Sequence, residues 1–483
     1  MHTYMNIRRK LSVFALLVTS ALSLPDALAA QTKEDVIVGL DDLYDHYSAI
    51  ARELWENPEL GYLEANTAAL LRQELEKAGF VVESGVAGIP TAFTATYGSG
   101  KPAIGILGEY DALPGMSQAA VPHRQVRVDG APGQACGHHL FGTGSLAAAI
   151  AVKDWLVASG TTGTIRYYGT PAEEGGSGKI YMVRAGLFDD LDVAISWHAG
   201  DENVANPNTN LATISGKFRF TGRSSHAAAA PAMGRSALDG VEAMNDMVNM
   251  LREHTTESTR IHYVITKGGD APNIVPALAE VYYVVRHQNR DELKAVWSRV
   301  IRAAEGAAIG TATEMSYEII GGTYDRLPNE MLSKVMHENL ESVGGVHYTD
   351  EETAFARELS KTLVSPKPLK SASEVQPMAF THGKASADTG DVSWTVPLAA
   401  MRAATWVPGT PPHSWQAVAA GGTSIGYKGM MVAAKTLALT AIDIYREPTI
   451  VDAAREEFDE RRGADFHYEA LLGDRLPALD YRK

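Results

Sequence analysis

The chain has 483 residues, of which 45% are apolar, and it carries a formal charge of −15. This length is too great for one small domain, so two domains are the natural expectation. The acidic balance, with no basic stripe and no block of Lys and Arg residues, argues against a nucleic-acid-binding role.

The chain begins with a predicted export signal over residues 1–29. A basic region at residues 8–10 precedes an apolar run, and Ala-Leu-Ala at residues 27–29 forms a small-x-small cleavage site. A membrane anchor is the alternative, but the apolar run is shorter than the roughly 20 residues that a membrane span needs. We therefore expect a secreted or periplasmic mature protein that has no stable membrane insertion.

The next part of the chain alternates helices with short apolar strands. Residues 41–80 are predicted to be helical, with Gly79 just past the helix end. An apolar strand at 103–107 runs into a polar turn, a helix of small residues follows Cys136, and a later strand ends at His198. This alternation predicts an α/β domain with a mostly parallel sheet, and its polar strand ends predict a functional site at that edge.

Residues 211–323 follow a different pattern, in which strands and amphipathic helices occur in the order βαββαβ. That order predicts a ferredoxin-like arrangement, and about 110 residues are enough for an independent domain. We therefore expect an inserted domain between two parts of a larger domain, residues 30–210 and 324–446. The extension over residues 447–483 is charged and carries no chemical signature, so we expect it to pack on the surface.

Cys136, the only cysteine, lies two residues before His138 in a glycine-flanked loop. A thiolate and an imidazole are suitable ligands for a borderline-soft divalent metal. From this stretch alone, a buried and inert cysteine beside a loop histidine is the alternative.

Glu173 and Glu174 stand side by side at a predicted strand end, ahead of three glycines in four residues. Two exposed glutamates in a turn are usually only solvated, which is the alternative here. Neighbouring side chains diverge, however, so one carboxylate could bind a metal while the other acts on a water molecule as a general base.

Three further residues sit in similar places. His198 ends an apolar strand and His413 lies in a Pro/Gly-flanked turn, although a lone histidine is more often structural. Asp111 follows another strand and could orient a ligating histidine. Because thiolate, imidazole and carboxylate groups all fall at sheet ends of one domain, the sequence favours a shared metal site, without assigning residues to ions.

Several stretches resemble the peptidase M20 family, and specifically its amidohydrolase branch. The similarity runs from about residue 54 to residue 444 and includes ILGEYDALPG, ACGHHLFGTGSLAAAIAVK, GTPAEEGGSGKIYMVRAGLFDDLDVAISWH, SSHAAAAPAMGRSALDGVEAMN, APNIVP, DTGDVSW and TPPHSWQAVAAGGTSIGYKGM. The resemblance implies a two-domain metallohydrolase, in which an α/β catalytic domain binds two divalent ions. It also implies that the inserted domain is a lid that forms a homodimer.

The resemblance also implies roles for individual residues of the catalytic domain. Glu173 is the implied general base, and the implied metal ligands are Cys136, His138, Glu174, His198 and His413. The mixed sulfur, nitrogen and oxygen donors suit Zn²⁺, and the family also allows Mn²⁺ or Co²⁺.

The lid contributes three more candidates by the same resemblance. His226 is implied to reach the active site of the other subunit and to help hold the developing oxyanion. Asn273 is an implied substrate contact. Arg286 is a weaker candidate for binding a substrate carboxylate, with exposed lid structure as the equal alternative.

Two positions make the assignment less direct. Relatives usually carry Asp or Asn where this chain has His139, which could be an extra or replacement ligand or could act from behind the ligands. Glu109 stands where other branches of the family carry a metal-binding histidine, and its role stays open.

These features predict a metal-dependent amidohydrolase, in which Glu173 takes a proton from a metal-activated water and delivers it to the leaving nitrogen. The expected substrate is a small molecule with a carboxylate next to the scissile amide, such as an N-acyl amino acid or an aminobenzoyl-glutamate. A carboxypeptidase or dipeptidase that uses the same site is the alternative. A non-catalytic, metal-stabilised binding protein is a third hypothesis, which the complete set of Glu173 and five ligands argues against.

Overall fold

The computed structural model describes residues 1, 2 and 31–483, so nearly all of the predicted export signal lies outside the described residues. The strands are β1 (Val81–Ser84), β2 (Phe93–Ser99), β3 (Ala103–Gly108), β4 (Gly163–Gly169), β5 (Val193–Gly200), β6 (Asn208–Thr209), β7 (Ala212–Thr221), β8 (Arg260–Lys267), β9 (Leu278–His287), β10 (Glu314–Thr323), β11 (Thr381–His382) and β12 (Leu398–Ala404).

The helices are α1 (Lys33–Asp42), α2 (Tyr44–Glu56), α3 (Ala65–Lys77), α4 (His138–Ser159), α5 (Glu173–Gly176), α6 (Gly178–Arg184), α7 (Ala237–Arg252), α8 (Arg290–Thr311), α9 (Glu330–Val343), α10 (Asp350–Ser360), α11 (Thr389–Ser393), α12 (Trp415–Gly421), α13 (Ser424–Arg446) and α14 (Pro448–Arg462). As the sequence predicts, Gly79 follows the end of α3 and has a positive φ of 91°.

The larger sheet has the strand order β1-β2-β4-β3-β5-β12. Strands β3, β4, β5 and β12 are parallel, whereas β2 is antiparallel to both β1 and β4. Every residue of β3 is buried, as expected for a parallel strand covered on both faces. Helices α4 and α13 pack against each other and against this sheet, so the main core of the catalytic part lies around them.

The second sheet confirms the predicted βαββαβ insert. Its strand order is β10-β7-β9-β8, all neighbours are antiparallel, and α7 and α8 are the two helices between its strands. The side chains of Ser236 and Asn289 accept hydrogen bonds from the first turns of α7 and α8, which fixes where each helix begins. Alternate residues of β9 are buried, because the two helices cover one face of the sheet.

The insert interrupts the larger sheet between two neighbouring strands. Strand β5 comes before the insert and β12 after it, yet the two are paired, with Ala194 opposite Leu398. The carboxyl ends of the parallel strands therefore meet at one edge, beside the insert. This edge is where ligands bind in open α/β sheets.

Within the described residues, only α4 is long and apolar enough to cross a membrane by length and composition. Of its most apolar stretch, 72% is buried inside the protein. Helix α4 is thus accounted for as a core helix.

Candidate metal centre

The candidate site forms where loops from three parallel strands meet the start of α4. Glu109 directly follows β3, Glu173 lies four residues after β4, and His198 lies near the end of β5. Cys136 comes just before α4. Gly137 is the N-cap residue of this helix and has a φ of 79°. A Cβ at Gly137 would lie 2.5 Å from Cβ of Ala199, so glycine allows the Cys136 loop to approach the end of β5.

Three overlapping groups of ligand atoms form there, with all atoms in a group within 4.8 Å of one another. Cys136 belongs to two of the groups, and its thiol is the shared donor. The groups are Cys136, His138 and His198; Cys136, Glu174 and His413; and Glu109, His138 and Glu173. The structure therefore brings all five predicted ligands and Glu173 into one place.

Hydrogen bonds orient the imidazoles of His138 and His198. Nδ1 of His138 lies 3.0 Å from Oδ1 of Asp111, and Nδ1 of His198 lies 2.8 Å from the carbonyl oxygen of Ala199. In the neutral form of each ring, donation from Nδ1 leaves Nε2 without a proton and able to bind a cation. Nε2 of His198 lies 3.5 Å from the Sγ atom of Cys136.

Asp111 contacts both His138 and Glu174, which agrees with its predicted role of orienting a ligating histidine. Its Oδ1 atom faces His138, and its Oδ2 atom accepts a 2.9 Å hydrogen bond from the backbone amide of Glu174. On the other side, Oε1 of Glu174 lies 3.0 Å from Nε2 of His413. The backbone amide of His413 donates to the carbonyl oxygen of Ala135, which fixes that loop beside Cys136.

The charges of the site favour a thiolate at Cys136. Burial alone would raise the pKa of the thiol, but the nearby His138 and His198 outweigh it and lower the pKa to about 6. Two hydrogen bonds raise the pKa of His413 to about 10; the one with Cys136 has the larger effect, and the one with Glu174 the smaller. The thiolate is the form of cysteine that binds metals.

A test of whether these residues fit a cation comes from His138 and Glu109. Nε2 of His138 and Oε2 of Glu109 are buried and 3.0 Å apart. Burial opposes a charge on His138, but Cys136 and then Glu109 outweigh it and raise the pKa of His138 well above its ordinary value, so this pair requires a positive charge that a divalent cation can supply in place of the proton. The donor set therefore fits a divalent metal ion.

Glu173 has the surroundings that a general base needs. Burial, together with the carboxylates of Glu109 and Glu174, raises the pKa of Glu173 well above its ordinary value. A general base works best when its pKa approaches the operating pH, so the direction of this shift suits the predicted role.

A fully buried lysine, which no pattern in the sequence singles out, balances these carboxylates. Nζ of Lys179 lies 2.7 Å from Oε1 of Glu109 and 2.7 Å from Oδ1 of Asp388. Burial opposes the ionisation of Glu109. The positive charge of Lys179, and to a smaller extent that of His138, outweighs burial and lowers the pKa of Glu109 below its ordinary value. Glu109 is thus an ionised carboxylate held by Lys179, with its second oxygen directed at His138.

His139 is not brought into any of the ligand groups. Its Nε2 atom lies 3.0 Å from the carbonyl oxygen of Gly421 in α12, and burial lowers its pKa to about 3. His139 is therefore a neutral, buried imidazole that connects α4 to α12.

The lid residues divide into two groups. Arg286 lines the cavity of about 840 Å³ that also contains Cys136, Glu173 and Glu174. His226 and Asn273 lie on adjacent exposed loops, where the amide of Ala227 donates to the carbonyl oxygen of Asn273. Neither is among the residues that line the cavity of their own chain.

Two further arginines line the cavity and were missed from the sequence. Arg326 donates to Oδ1 of Asn208 and to Oγ1 of Thr389, and its Nε atom is buried without a partner. Burial is the main cause that lowers the pKa of Arg326 to about 10, and the nearby charge of Arg402 is the second. Within the described residues, Arg286, Arg326 and Arg402 make no ion pair with a carboxylate.

Comparison with known proteins gives an independent line of evidence. A family model for a peptidase dimerisation domain matches residues 197–311. One of the subunits of the p-aminobenzoyl-glutamate hydrolase of Escherichia coli K12 is 41% identical over 86% of this chain and 92% of its own length. The Xaa-Arg dipeptidase of Mus musculus is 29% identical over 87% of this chain and 90% of its own length.

The fold is shared with solved structures. A dinuclear metal-binding peptidase of the M20 family from Bacillus subtilis aligns with 84% of this chain and 99% of its own, with a TM-score of 0.58. At 18% sequence identity this similarity concerns the fold alone.

Proposed function

The chain belongs to the M20 family of metal-dependent amidohydrolases and peptidases, and on that premise we propose that it binds two divalent ions and hydrolyses an amide bond with Glu173 as general base. The proposed ligands are Cys136, His138, Glu174, His198 and His413. The observation that carries the proposal is the sharing of the Cys136 thiol between two ligand groups, with Glu173 beside them.

The residues of the chain divide the chemical work. Divalent ions held by these ligands supply Lewis acidity, which acidifies water and polarises an amide carbonyl group. Glu173 takes a proton from the attacking water and returns it to the leaving nitrogen as the C–N bond breaks, giving a carboxylic acid and an amine. Asp111 keeps His138 in the tautomer with an unprotonated Nε2, and Lys179 offsets the charge of the buried carboxylates.

The proposed substrate is an N-acyl amino acid or a related molecule with a carboxylate near the scissile amide. Arg326 supports this class, because its Nε atom is buried without a partner and a buried guanidinium is stabilised by a bidentate anion. The half-buried Arg286 and the exposed Arg402 line the same cavity and add positive charge to it. The names of the two relatives point to aminobenzoyl-glutamate and to dipeptides, and both carry such a carboxylate. A dipeptidase or carboxypeptidase that uses the same centre is therefore the second candidate function.

A panel of substrates separates these candidates. The purified protein is depleted of metal, reloaded with Zn²⁺, Mn²⁺ or Co²⁺, and assayed on N-acyl amino acids, aminobenzoyl-glutamate and dipeptides. We expect turnover that depends on the added metal and disappears when the substrate carboxylate is converted to an amide. Turnover that survives exhaustive chelation, or binding of every compound without hydrolysis, would contradict the proposed function.

A homodimer through the lid is part of the proposal. The outer strand β8 exposes Tyr263, Val264 and Ile265, and the neighbouring helix α7 exposes Met247 and Met250. An edge strand with unpaired backbone groups beside exposed apolar side chains is suited to a second copy of the same strand. The E. coli hydrolase is named for two different subunits, so a different chain is the alternative partner.

Export to the periplasm also remains a proposal, supported by the basic, apolar and small-residue pattern of residues 1–29. We expect the mature protein to begin near residue 30 and to be released with the periplasmic fraction. Amino-terminal sequencing of the fractionated protein tests this. A chain that still carries residues 1–29 and stays in the cytoplasmic fraction would contradict it.

A further inference from the structure

The turn that carries Glu173 and Glu174 has an irregular backbone. Ala172 and Ser177 flank it with φ values of 56° and 61°, and Gly175 has a φ of 90°. Left-handed conformations of non-glycine residues cost free energy and persist only where the surroundings impose them. Contacts from elsewhere in the chain must therefore help to hold this turn.

A segment after α14, residues 468–482, supplies such contacts, and we term it the strap. The hydroxyl of Tyr481 and Nη2 of Arg482 both donate to the carbonyl oxygen of Glu174, at 3.0 Å and 2.7 Å. Gly61 makes room for the strap, because a Cβ there would lie 2.2 Å from the hydroxyl oxygen of Tyr481. The strap thus reaches the backbone of a proposed metal ligand directly.

Tyr481 also packs against a second residue that holds the same turn. Its ring meets the ring of Tyr62 edge-on, with 5.5 Å between the centroids, and the hydroxyl of Tyr62 donates to the carbonyl oxygen of Gly176 at 2.6 Å. Two carbonyl groups of the turn are therefore held by neighbouring tyrosines.

The strap itself is anchored to both domains. The hydroxyl of Tyr324 donates to the carbonyl oxygen of Glu469, and Nη1 of Arg184 donates to the carbonyl oxygen of Arg475. Nη1 of Arg475 in turn donates to the carbonyl oxygen of Ile319 in β10 of the lid, at 2.9 Å. With these anchors, Tyr481 and Arg482 have fixed positions from which to constrain the turn.

Both backbone groups of Glu174 are thereby occupied, the amide by Asp111 and the carbonyl by Tyr481 and Arg482. We propose that Tyr481 and Arg482 are positioning residues, which fix the Glu174 backbone so that its carboxylate stays with Cys136 and His413. This inference rests on the proposed function, because it assumes that Glu174 binds a metal ion.

The proposal predicts an effect on only one of the two ions. The strap touches Glu174, whose ligand group contains Cys136 and His413, and neither the Tyr481 nor the Arg482 hydrogen bond involves His138 or His198. Loss of a group that orients a ligand usually lowers metal affinity by about 10–100-fold. The second ion should keep its affinity.

The experiment measures the two dissociation constants for Zn²⁺ by competition with a chromophoric chelator. Tyr481→Phe removes one hydroxyl group, and Arg482→Met removes the guanidinium but keeps an apolar stem. For the double variant we expect one Zn²⁺ to bind about 10-fold or more weakly and the other to bind as in the wild type. If both ions bind with wild-type affinity, the positioning role is wrong.

Tyr324→Phe is the matched control for Tyr481→Phe, since it also removes one tyrosine hydroxyl group that contacts the strap. It leaves in place the anchors through Arg184 and Arg475, which lie between Glu469 and Tyr481. It should leave both Zn²⁺ affinities unchanged, and an equal loss in this control would overturn the proposal in favour of general loosening. If the double variant does not fold, Tyr481→Phe alone is measured, and an unchanged affinity there overturns the proposal too.

Glu174→Gln separates this inference from the proposed function. If Glu174→Gln keeps both ions at wild-type affinity, the ligand role of Glu174 fails, and the positioning role fails with it. If Glu174→Gln loses one ion while the Tyr481 and Arg482 variants keep both, only the positioning role is wrong.

Discussion

Replacing Glu173 with glutamine is expected to leave both metal ions bound while lowering kcat by about 10²–10⁴-fold, the usual contribution of a general acid–base group. Glutamine keeps the size of the side chain but cannot accept a proton. Glu173 belongs to the ligand group with Glu109 and His138, yet it is absent from both groups that share Cys136. The measurements are metal content by elemental analysis and kcat on the best substrate of the panel.

Glu174→Gln is the matched control for that experiment, because it makes the same chemical change one residue away. Glu174 lies in a group with Cys136 and His413, and a neutral amide is a poorer ligand than a carboxylate. This variant should lose metal first and activity as a consequence, and excess metal should restore part of the activity.

The two glutamate variants should therefore differ in metal content before they differ in rate. If Glu173→Gln lost metal and Glu174→Gln kept it, the two roles would have to be exchanged. If both kept full metal and near-normal rates, the pair would be a solvated turn and the hydrolase mechanism would lose its base.

A second large effect is expected for His226→Ala, with kcat lowered by about 10²–10³-fold, as for the loss of one oxyanion donor. Its Nδ1 atom accepts hydrogen bonds from the amides of Ala228 and Ala229, so the proton lies on Nε2, which can act as a donor. Metal content should be normal, because His226 belongs to none of the ligand groups. His254→Ala, which removes another exposed lid histidine, should leave the rate unchanged.

Action of His226 on the partner subunit is tested by mixing two inactive variants. A dimer of one His226→Ala subunit and one Glu173→Gln subunit contains one site with an intact Glu173 and an intact His226 from the other chain. Random pairing should restore up to about a quarter of the wild-type activity, since half of the dimers are mixed and each has one intact site. Confirmed subunit exchange without recovered activity would mean that His226 does not act across the dimer.

Much of the fold could be predicted because its signals are local. The apolar run of β3, the small residues of α4 and the alternation of β9 each reflect burial of that element's own face. The order βαββαβ followed from such elements taken one after another. The antiparallel strand β1 was not predicted, because it has no buried residue. Strand β2 was not predicted either, because its three buried residues are consecutive and leave no alternation to recognise.

The site could be predicted in part, for the same reason. Cys136 with His138, and Glu173 with Glu174, are neighbours in the chain, so their chemistry is visible in a short stretch. Lys179 was missed because its partners Glu109 and Asp388 lie far away in sequence, and an isolated lysine gives no sign of burial. The charged extension was expected only to pack on the surface, whereas the hydroxyl of Tyr481 within it donates to the carbonyl oxygen of Glu174. No local sequence pattern indicates this contact, because the two residues are far apart in the chain.

The interruption of the larger sheet by the insert has a consequence for how the protein is made. Synthesis delivers β5 well before β12, and the pairing of these strands closes a loop that contains the whole second sheet. Such non-local pairings form slowly, and amino-terminal units tend to fold first. Cys136, His138 and His198 all precede the insert, whereas His413 follows it. The chain therefore completes two of the three candidate ligand groups before the insert and the third only when His413 arrives. An ion captured early would stabilise the unfinished sheet until its last strand arrives.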